Sequence, residues 1–331
     1  MTFSLIICTY MRTQPLLNLL NSVNEQTLYP NEIIIVDGSA NNDTKQQFNA
    51  NPYKNLKYFK VEDNQRGLTK QRNFGIQKVS NASEIICFLD DDAVLENDYF
   101  EQLLKVYKVY PNALGVGGYI TNEVIWKKSE RPTSKKNFFY DGWERNEPLR
   151  FRVRHFFGLQ PNTAPCILPE FSHGRSVSFL PPTSKIYQVE QFMGGVSSFK
   201  KDVFNTMSFS TYFEGYGLYE DADFTLRLSK KGELYVNTAA RLSHYHDESG
   251  RPNKFKYGKM VARNGWYVWR VKYSNPSFKS KLKWNLTFIV LMKLRFLNVL
   301  TSKNKMEALT EGFGRFFGWL SLIFNKPKIE R

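Results

Sequence analysis

The stretch Ile85-Ile86-Cys87-Phe88-Leu89-Asp90-Asp91-Asp92 decides how the rest of this 331-residue chain reads. Its apolar half is mostly β-branched or aromatic, and it ends abruptly in carboxylates. A short apolar run of this kind suits a strand buried on both faces of a parallel sheet. Side chains alternate along extended backbone, so Asp90 and Asp92 are expected on one side and Asp91 on the other. Carboxylates this close repel one another unless something positive lies between them. A hard divalent cation with oxygen ligands, Mg2+ or Mn2+, sharing its shell with phosphates, meets that need. A solvated acidic turn is the other reading of the triplet.

Upstream, Ser4 to Cys8 reads as a first buried strand, followed by the loop Thr9-Tyr10-Met11-Arg12. A helix is expected from Thr13, which can cap it, with Pro15 in its first turn. Glu32 to Asp37 is a second strand, and Leu56 to Val61 a third. Helical spacing runs over Leu68 to Val79 and from about Asn97 to Tyr110, and Ala113 to Ile120 reads as another strand. Strands alternating with helices over short links imply a doubly wound, mostly parallel α/β sheet with helices on both faces. Ligands in such sheets bind beyond the carboxyl ends of the strands. Thr9, Tyr10, Arg12, Asp37 and Asp90 to Asp92 all lie there, delivered by three separate connections.

Downstream the pattern changes. Residues 121–190 are rich in Arg, Lys, Pro and aromatics with little clear period, and read as an irregular excursion, a candidate lid or acceptor-side wall. Gly194-Gly195 then opens a strand leading into a short helix. Phe213 to Asp223 precedes a helix carrying Glu220, Asp221 and Asp223 in its first turn, where acids also complement the helix dipole. A strand from Leu234 leads to Arg241-Leu-Ser-His244-Tyr-His246-Asp247. Two histidines two residues apart point oppositely in extended backbone, so at most one is expected to bind a metal.

A composition of 42% hydrophobic and 15% aromatic residues makes the chain globular rather than disordered. Cys8, Cys87 and Cys166 make no even disulfide set, which fits a reducing cytoplasm. Met1 to Thr9 lack a basic n-region and cleavage site, so no signal peptide is expected, and no apolar run approaches the roughly 18 residues of a membrane span. Residues 251–331 hold 18 Lys/Arg against 3 Asp/Glu, while the first 250 hold 28 of each, so the net charge of +15 belongs to the C-terminal region. Its helices, with Trp and Phe among the lysines, read as interfacial binders of an anionic membrane or as a solvated basic helical region. No nucleic-acid reader motif accompanies the basic clusters. The division expected is 1–250 and 251–331.

With these motifs in order, the chain resembles an inverting glycosyltransferase of the GT-A fold, the large family 2 of nucleotide-sugar transferases, over about residues 3–120 and 190–247. Ser4 to Arg12 is similar to the family's opening strand and nucleotide loop, and Ile34-Ile-Val-Asp37 to the segment whose Asp contacts the base. Asn64 to Gly75, with Arg72-Asn73, looks like the segment flanking the nucleotide. Phe88-Leu-Asp90-Asp91-Asp92 resembles the metal and diphosphate motif. Gly194-Gly195 looks like the donor- and acceptor-side element, and Glu220-Asp221 like the motif supplying the base.

The resemblance implies nucleotide contacts from Thr9, Tyr10, Arg12, Asp37, Arg72, Asp90 and Asp91, and a Mn2+ or Mg2+ ion on Asp92 with a histidine after the last strand. His244 is favoured over His246. It implies Asp221 as general base, poised by Glu220. The activity implied is inverting transfer from a UDP, GDP or dTDP sugar to a glycan or polyprenol-linked acceptor. The setting expected is bacterial surface polysaccharide synthesis, at the inner face of the cell membrane. Two rivals remain: nucleotidyl transfer on a related sheet, disfavoured because Thr9 to Arg12 holds no glycine, and a non-catalytic membrane- or glycan-binding protein.

Overall fold

The computed structural model describes residues 1–50, 52–246 and 252–330. The boundary expected at 250/251, and Asp247, lie outside the described residues. The chain forms two units, Met1–Ile125 with Pro182–Gly250, and Trp126–Pro181 with Arg251–Arg331.

In chain order the first unit begins with β1 (Phe3–Thr9), α1 (Thr13–Asn24), β2 (Glu32–Asp37), α2 (Asp43–Ala50), β3 (Leu56–Lys60) and α3 (Leu68–Lys78). It continues with β4 (Ile85–Asp90), β5 (Ala93–Leu95), α4 (Tyr99–Val109) and β6 (Ala113–Ile120). The second unit supplies β7 (Lys127–Lys128), β8 (Asn137–Tyr140), β9 (Trp143–Asn146) and α5 (Leu149–Phe156). The first resumes with β10 (Ile186–Val189), β11 (Val196–Lys200), α6 (Glu220–Leu228) and β12 (Glu233–His244). The second closes with α7 (Lys254–Lys272), α8 (Phe278–Leu297) and α9 (Lys305–Phe324).

The sheet of the first unit runs β10-β12-β6-β11-β4-β1-β2-β3, with β5 on β12. β4, β1, β2 and β3 are parallel, as are β6 and β12; β11 is antiparallel to both its neighbours. Three of these four parallel strands, β1, β2 and β4, carry the apolar runs the sequence displays. Their alternate residues feed two cores. Leu5, Ile7, Ile33, Ile35 and Leu89 face Leu16, Leu19 and Leu20 of α1 and Leu103 and Leu104 of α4. Each such buried side chain contributes about 1.5–3 kcal/mol. Ile6 and Val36 face the other way and meet α3 at Gly75. On that face the rings of Phe88, Phe199, Phe209 and Phe224 pack between β4, β11 and α6. The expected α/β sheet with helices on both faces is therefore present.

Thr13 does not cap α1. Arg12 occupies the cap position, its side chain turned to Asp91 rather than capping the helix, and the Thr13 hydroxyl meets Thr44 at 2.9 Å. Loop residue Met11, at φ 58°, turns the chain before the helix, so Thr13 already carries helical backbone.

Where residues 121–190 show little period, the second unit has a three-stranded antiparallel sheet, β7-β9-β8, and the short helix α5. Strands of two to four residues are too short to display a repeat. α7 and α9 approach backbone to backbone: a Cβ on Gly314 would lie 2.2 Å from the Phe255 carbonyl oxygen. Trp269 and Trp284 stack at 5.5 Å between ring centroids in the small core that also holds Trp266 and Leu322. Among the described residues no helix is long and apolar enough to cross a membrane.

Candidate active site

Register places the expected residues side by side. Cys8 pairs with Asp90, and Thr9 pairs with Asp37, so β4, β1 and β2 end together and hold their polar residues along one rim. The buried Asp37 carboxylate accepts from the Ser39 N–H at 2.7 Å and from the Tyr58 hydroxyl at 2.8 Å. Thr9 donates to Asp91 at 2.7 Å. Tyr10 stays exposed, with the Arg66 guanidinium 5.6 Å over its ring. Beneath the loop, the Gln71 amide donates to the Thr9 and Val36 carbonyls at 3.2 and 2.9 Å, tying β1 to β2.

The three carboxylates do not alternate as expected. β4 ends at Asp90, and Asp91-Asp92 form a turn before β5, so period-two geometry stops there. Asp91 and Asp92 both face Arg12, at 3.1 and 3.4 Å, whereas Asp90 faces Arg72 at 3.5 Å. Burial pushes Asp91 up to about 7, against the pull of Thr9 and Arg12.

Arg72 is 3% exposed and is the hinge of the arrangement. One nitrogen meets Asp90 and the other bonds Glu220, while its guanidinium lies 5.3 Å from the Phe209 ring centroid and 5.7 Å from that of Phe88. Burial pushes Glu220 up to about 8 against Arg72, which stays cationic between two acids. Tyr219, at φ 70°, makes the left-handed turn that starts α6 and sets Glu220 and Asp221 facing β4. Asp221 accepts from its neighbour Ala222 N–H at 2.7 Å and from the Gly194 N–H at 3.4 Å. Its carboxyl is raised by burial, with Asp90 adding to the shift.

Gly194 and Gly195 are there for space. A Cβ at 195 would lie 1.9 Å from Asp90 Oδ2, and one at 194 would lie 2.5 Å from both Arg72 Nη1 and Glu220 Oε1. Backbone therefore passes where any side chain collides with the acids. Asp223 is apart from this group, held by Arg227 at 2.7 Å.

On the other side of the rim, His244 Nε2 lies 2.8 Å from Asp92 Oδ1. Burial pulls His244 down, but bonds to Asp92 and Glu123 outweigh it and raise it to about 10. His246 does not point away from His244. β12 ends at His244, and a left-handed His246 (φ 49°) turns its ring back to 4.2 Å between centroids, with Nε2 2.8 Å from Glu123. A carboxylate and an imidazole nitrogen 2.8 Å apart suit adjacent ligands on one ion, whose bonds of about 2.1 Å put neighbouring donors about 3 Å apart. Glu123 and Tyr58 were not legible as site residues in the sequence, since each acts through a neighbour and belongs to no motif. Ser39 and Gln71 lie beside or within the motif segments, but their bonds to Asp37 and to the Thr9 and Val36 carbonyls were not foreseen.

This sheet, with ligand-type groups at its strand ends, is the GT-A fold. It is shared with the crystal structure of GalNAc-T7 with UDP, GalNAc and Mn2+, at a TM-score of 0.53 and 16% identity, over 85% of this chain and 53% of that one. Residues 4–164 match the model of glycosyl transferase family 2. Among curated relatives, the glucosyl-dolichyl phosphate glucuronosyltransferase of Haloferax volcanii is 29% identical over 133 residues, 39% of this chain and 42% of the relative. The O-antigen chain rhamnosyltransferase RfbN of Salmonella typhimurium is 30% identical over 108 residues, 32% of this chain and 33% of the relative. The matches thus span less than half of either relative's length.

Proposed function

We propose that the chain transfers a sugar, with inversion, from a nucleotide diphosphate sugar of the UDP, GDP or dTDP type to a glycan or polyprenol-linked acceptor during surface polysaccharide synthesis. The observation that carries this reading is the meeting of Asp90, Glu220 and Asp221 around Arg72 and the Gly194-Gly195 backbone, on the rim that also holds Asp37 and Asp92. The relatives' names, a glucuronosyltransferase on a dolichyl phosphate sugar and an O-antigen rhamnosyltransferase, support the acceptor class.

In this reading Asp221 takes the proton of the acceptor hydroxyl as its oxygen bonds to the anomeric carbon. The bond from that carbon to the diphosphate breaks on the opposite side, and the nucleoside diphosphate leaves. One displacement inverts the centre. Glu220, locked to Arg72, holds the start of α6 and so aims Asp221. Asp37 meets the base, Asp90 the ribose, and Thr9, Tyr10 and Arg12 line the nucleotide side. Asp92 and His244 would hold Mn2+ or Mg2+, which when bound neutralises charge growing on the leaving diphosphate. The purified protein with candidate donors and acceptors should release nucleoside diphosphate; release of pyrophosphate would overturn the reading in favour of nucleotidyl transfer.

The second unit fits a peripheral place on the inner face of the cell membrane. α8 leaves Phe278, Leu282 and Leu286 exposed on one stripe beside Lys279 and Lys281, and α9 ends with Phe324 85% exposed. An apolar side chain fully withdrawn from water contributes about 1.5–3 kcal/mol and a lysine near an anionic surface about 1 kcal/mol. Replacing Phe278, Leu282 and Leu286 together with serine should therefore lower partitioning onto phosphatidylglycerol vesicles by about tenfold or more. Wild-type protein that stays in the supernatant of such vesicles contradicts this placement.

A further inference from the structure

We propose that Glu123 is a positioning residue for the cation site, turning His244 so that Nε2 faces Asp92, with His246 holding Glu123 in place. This rests on the reading that Asp92 and His244 bind a divalent cation. An imidazole that ligates through one nitrogen carries its proton on the other. A carboxylate accepting that proton fixes both the tautomer and the ring plane. Glu123 is placed for this role: Oε1 lies 3.5 Å from His244 Nδ1, on the side of the ring away from Asp92.

The backbone is built to hold that alignment. The segment after β6 is laced to the end of β12 by Thr121 N–H on the Leu242 carbonyl at 2.9 Å. The Asn122 side chain adds a donor to the His244 carbonyl at 2.9 Å and an acceptor from the His244 N–H at 3.0 Å. Glu123 follows directly, so its reach to His244 is set by main-chain bonds. Tyr245 N–H bonds the Asp92 carbonyl at 3.1 Å, which fixes the other partner. His246 then folds back and meets Glu123 Oε1 at 2.8 Å, the same oxygen that faces His244.

Ligand atoms of Glu123, His244 and His246 also lie within 4.8 Å of one another, so direct ligation by all three is the competing arrangement. It would require His244 to offer Nδ1, whereas the nitrogen facing Asp92 is Nε2. One ion cannot take both nitrogens of a ring.

Mn2+ titration of the full chain, followed by the electron paramagnetic resonance signal of free Mn2+ without nucleotide, separates these cases. Wild type should bind one ion. Glu123→Gln should weaken binding by about 10–100-fold, Glu123→Asp should restore most of it, and the thermal midpoint without metal should stay near wild type. Asp92→Asn and His244→Gln should lose binding altogether. Glu123→Gln binding like wild type overturns the inference while leaving the cation reading intact. So does a second Mn2+ equivalent that His246→Gln removes, which would mean direct ligation. If wild type binds no Mn2+ at all, the cation reading falls, and the role of Glu123 with it.

Discussion

Asp221→Asn should bind nucleotide sugar as the wild type does and turn over about 10²–10⁴ times more slowly, the usual contribution of a positioned base. The substitution keeps the shape of the side chain and removes only its capacity to take a proton. Among the described residues Asp221 makes no ion pair of its own; its side chain accepts from the Ala222 and Gly194 N–H groups. The fold should therefore survive, and the loss should fall on kcat rather than on KM. The pH profile gives a second readout. Burial holds the Asp221 carboxyl above the usual carboxylate range. A base must be ionised to act, so wild-type turnover should climb as pH rises through that raised value and level off above it. In Asp221→Asn the climb attributable to this group should vanish. Wild-type turnover from Asp221→Asn, with donor bound normally, refutes the base assignment.

Arg72→Leu should destabilise the first unit by about 3–5 kcal/mol, because it leaves the buried Glu220 without its cation. Glu220 is 5% exposed and Arg72 3%, so water does not take the place of the lost guanidinium. In a unit of this size that corresponds to a fall of roughly 10 °C in the thermal midpoint. Arg72→Lys should fall between, since an ammonium is a point charge and cannot span Glu220 and Asp90 as the planar fork does. The double variant Arg72→Leu with Glu220→Leu should recover part of the loss, because it removes the orphaned acid as well. Chemical denaturation followed by circular dichroism measures all three. An Arg72→Leu protein as stable as wild type would mean that the Arg72–Glu220 contact does not hold α6 in place.

What the sequence revealed of this site, and what it hid, follows from how each residue is held. Asp37, Asp90 and Thr9 were legible because they end short continuous apolar runs, and parallel register then aligns them without further information. The alternation expected of Asp90, Asp91 and Asp92 failed because strand geometry stops at Asp90, two residues before the acidic run does. The same cause reversed the expectation for His244 and His246: a single left-handed residue after β12 replaces a two-residue period. Glu123 was invisible for a different reason. Its partner is 121 residues away, and the bonds that set its place come from Thr121 and Asn122, ordinary loop residues in any sequence. The small sheet β7-β9-β8 escaped notice because its strands are shorter than the windows in which periodicity has meaning.

The most direct test of the central claim, that carboxylates from β4 and α6 serve one sugar transfer, is the anomeric configuration of the product. Once a donor is identified, proton NMR of the glycoside formed by the purified chain should show the configuration opposite to that of the donor, with one nucleoside diphosphate released per bond made. A product that keeps the donor's configuration would contradict the account, because a single displacement assisted by Asp221 cannot produce it.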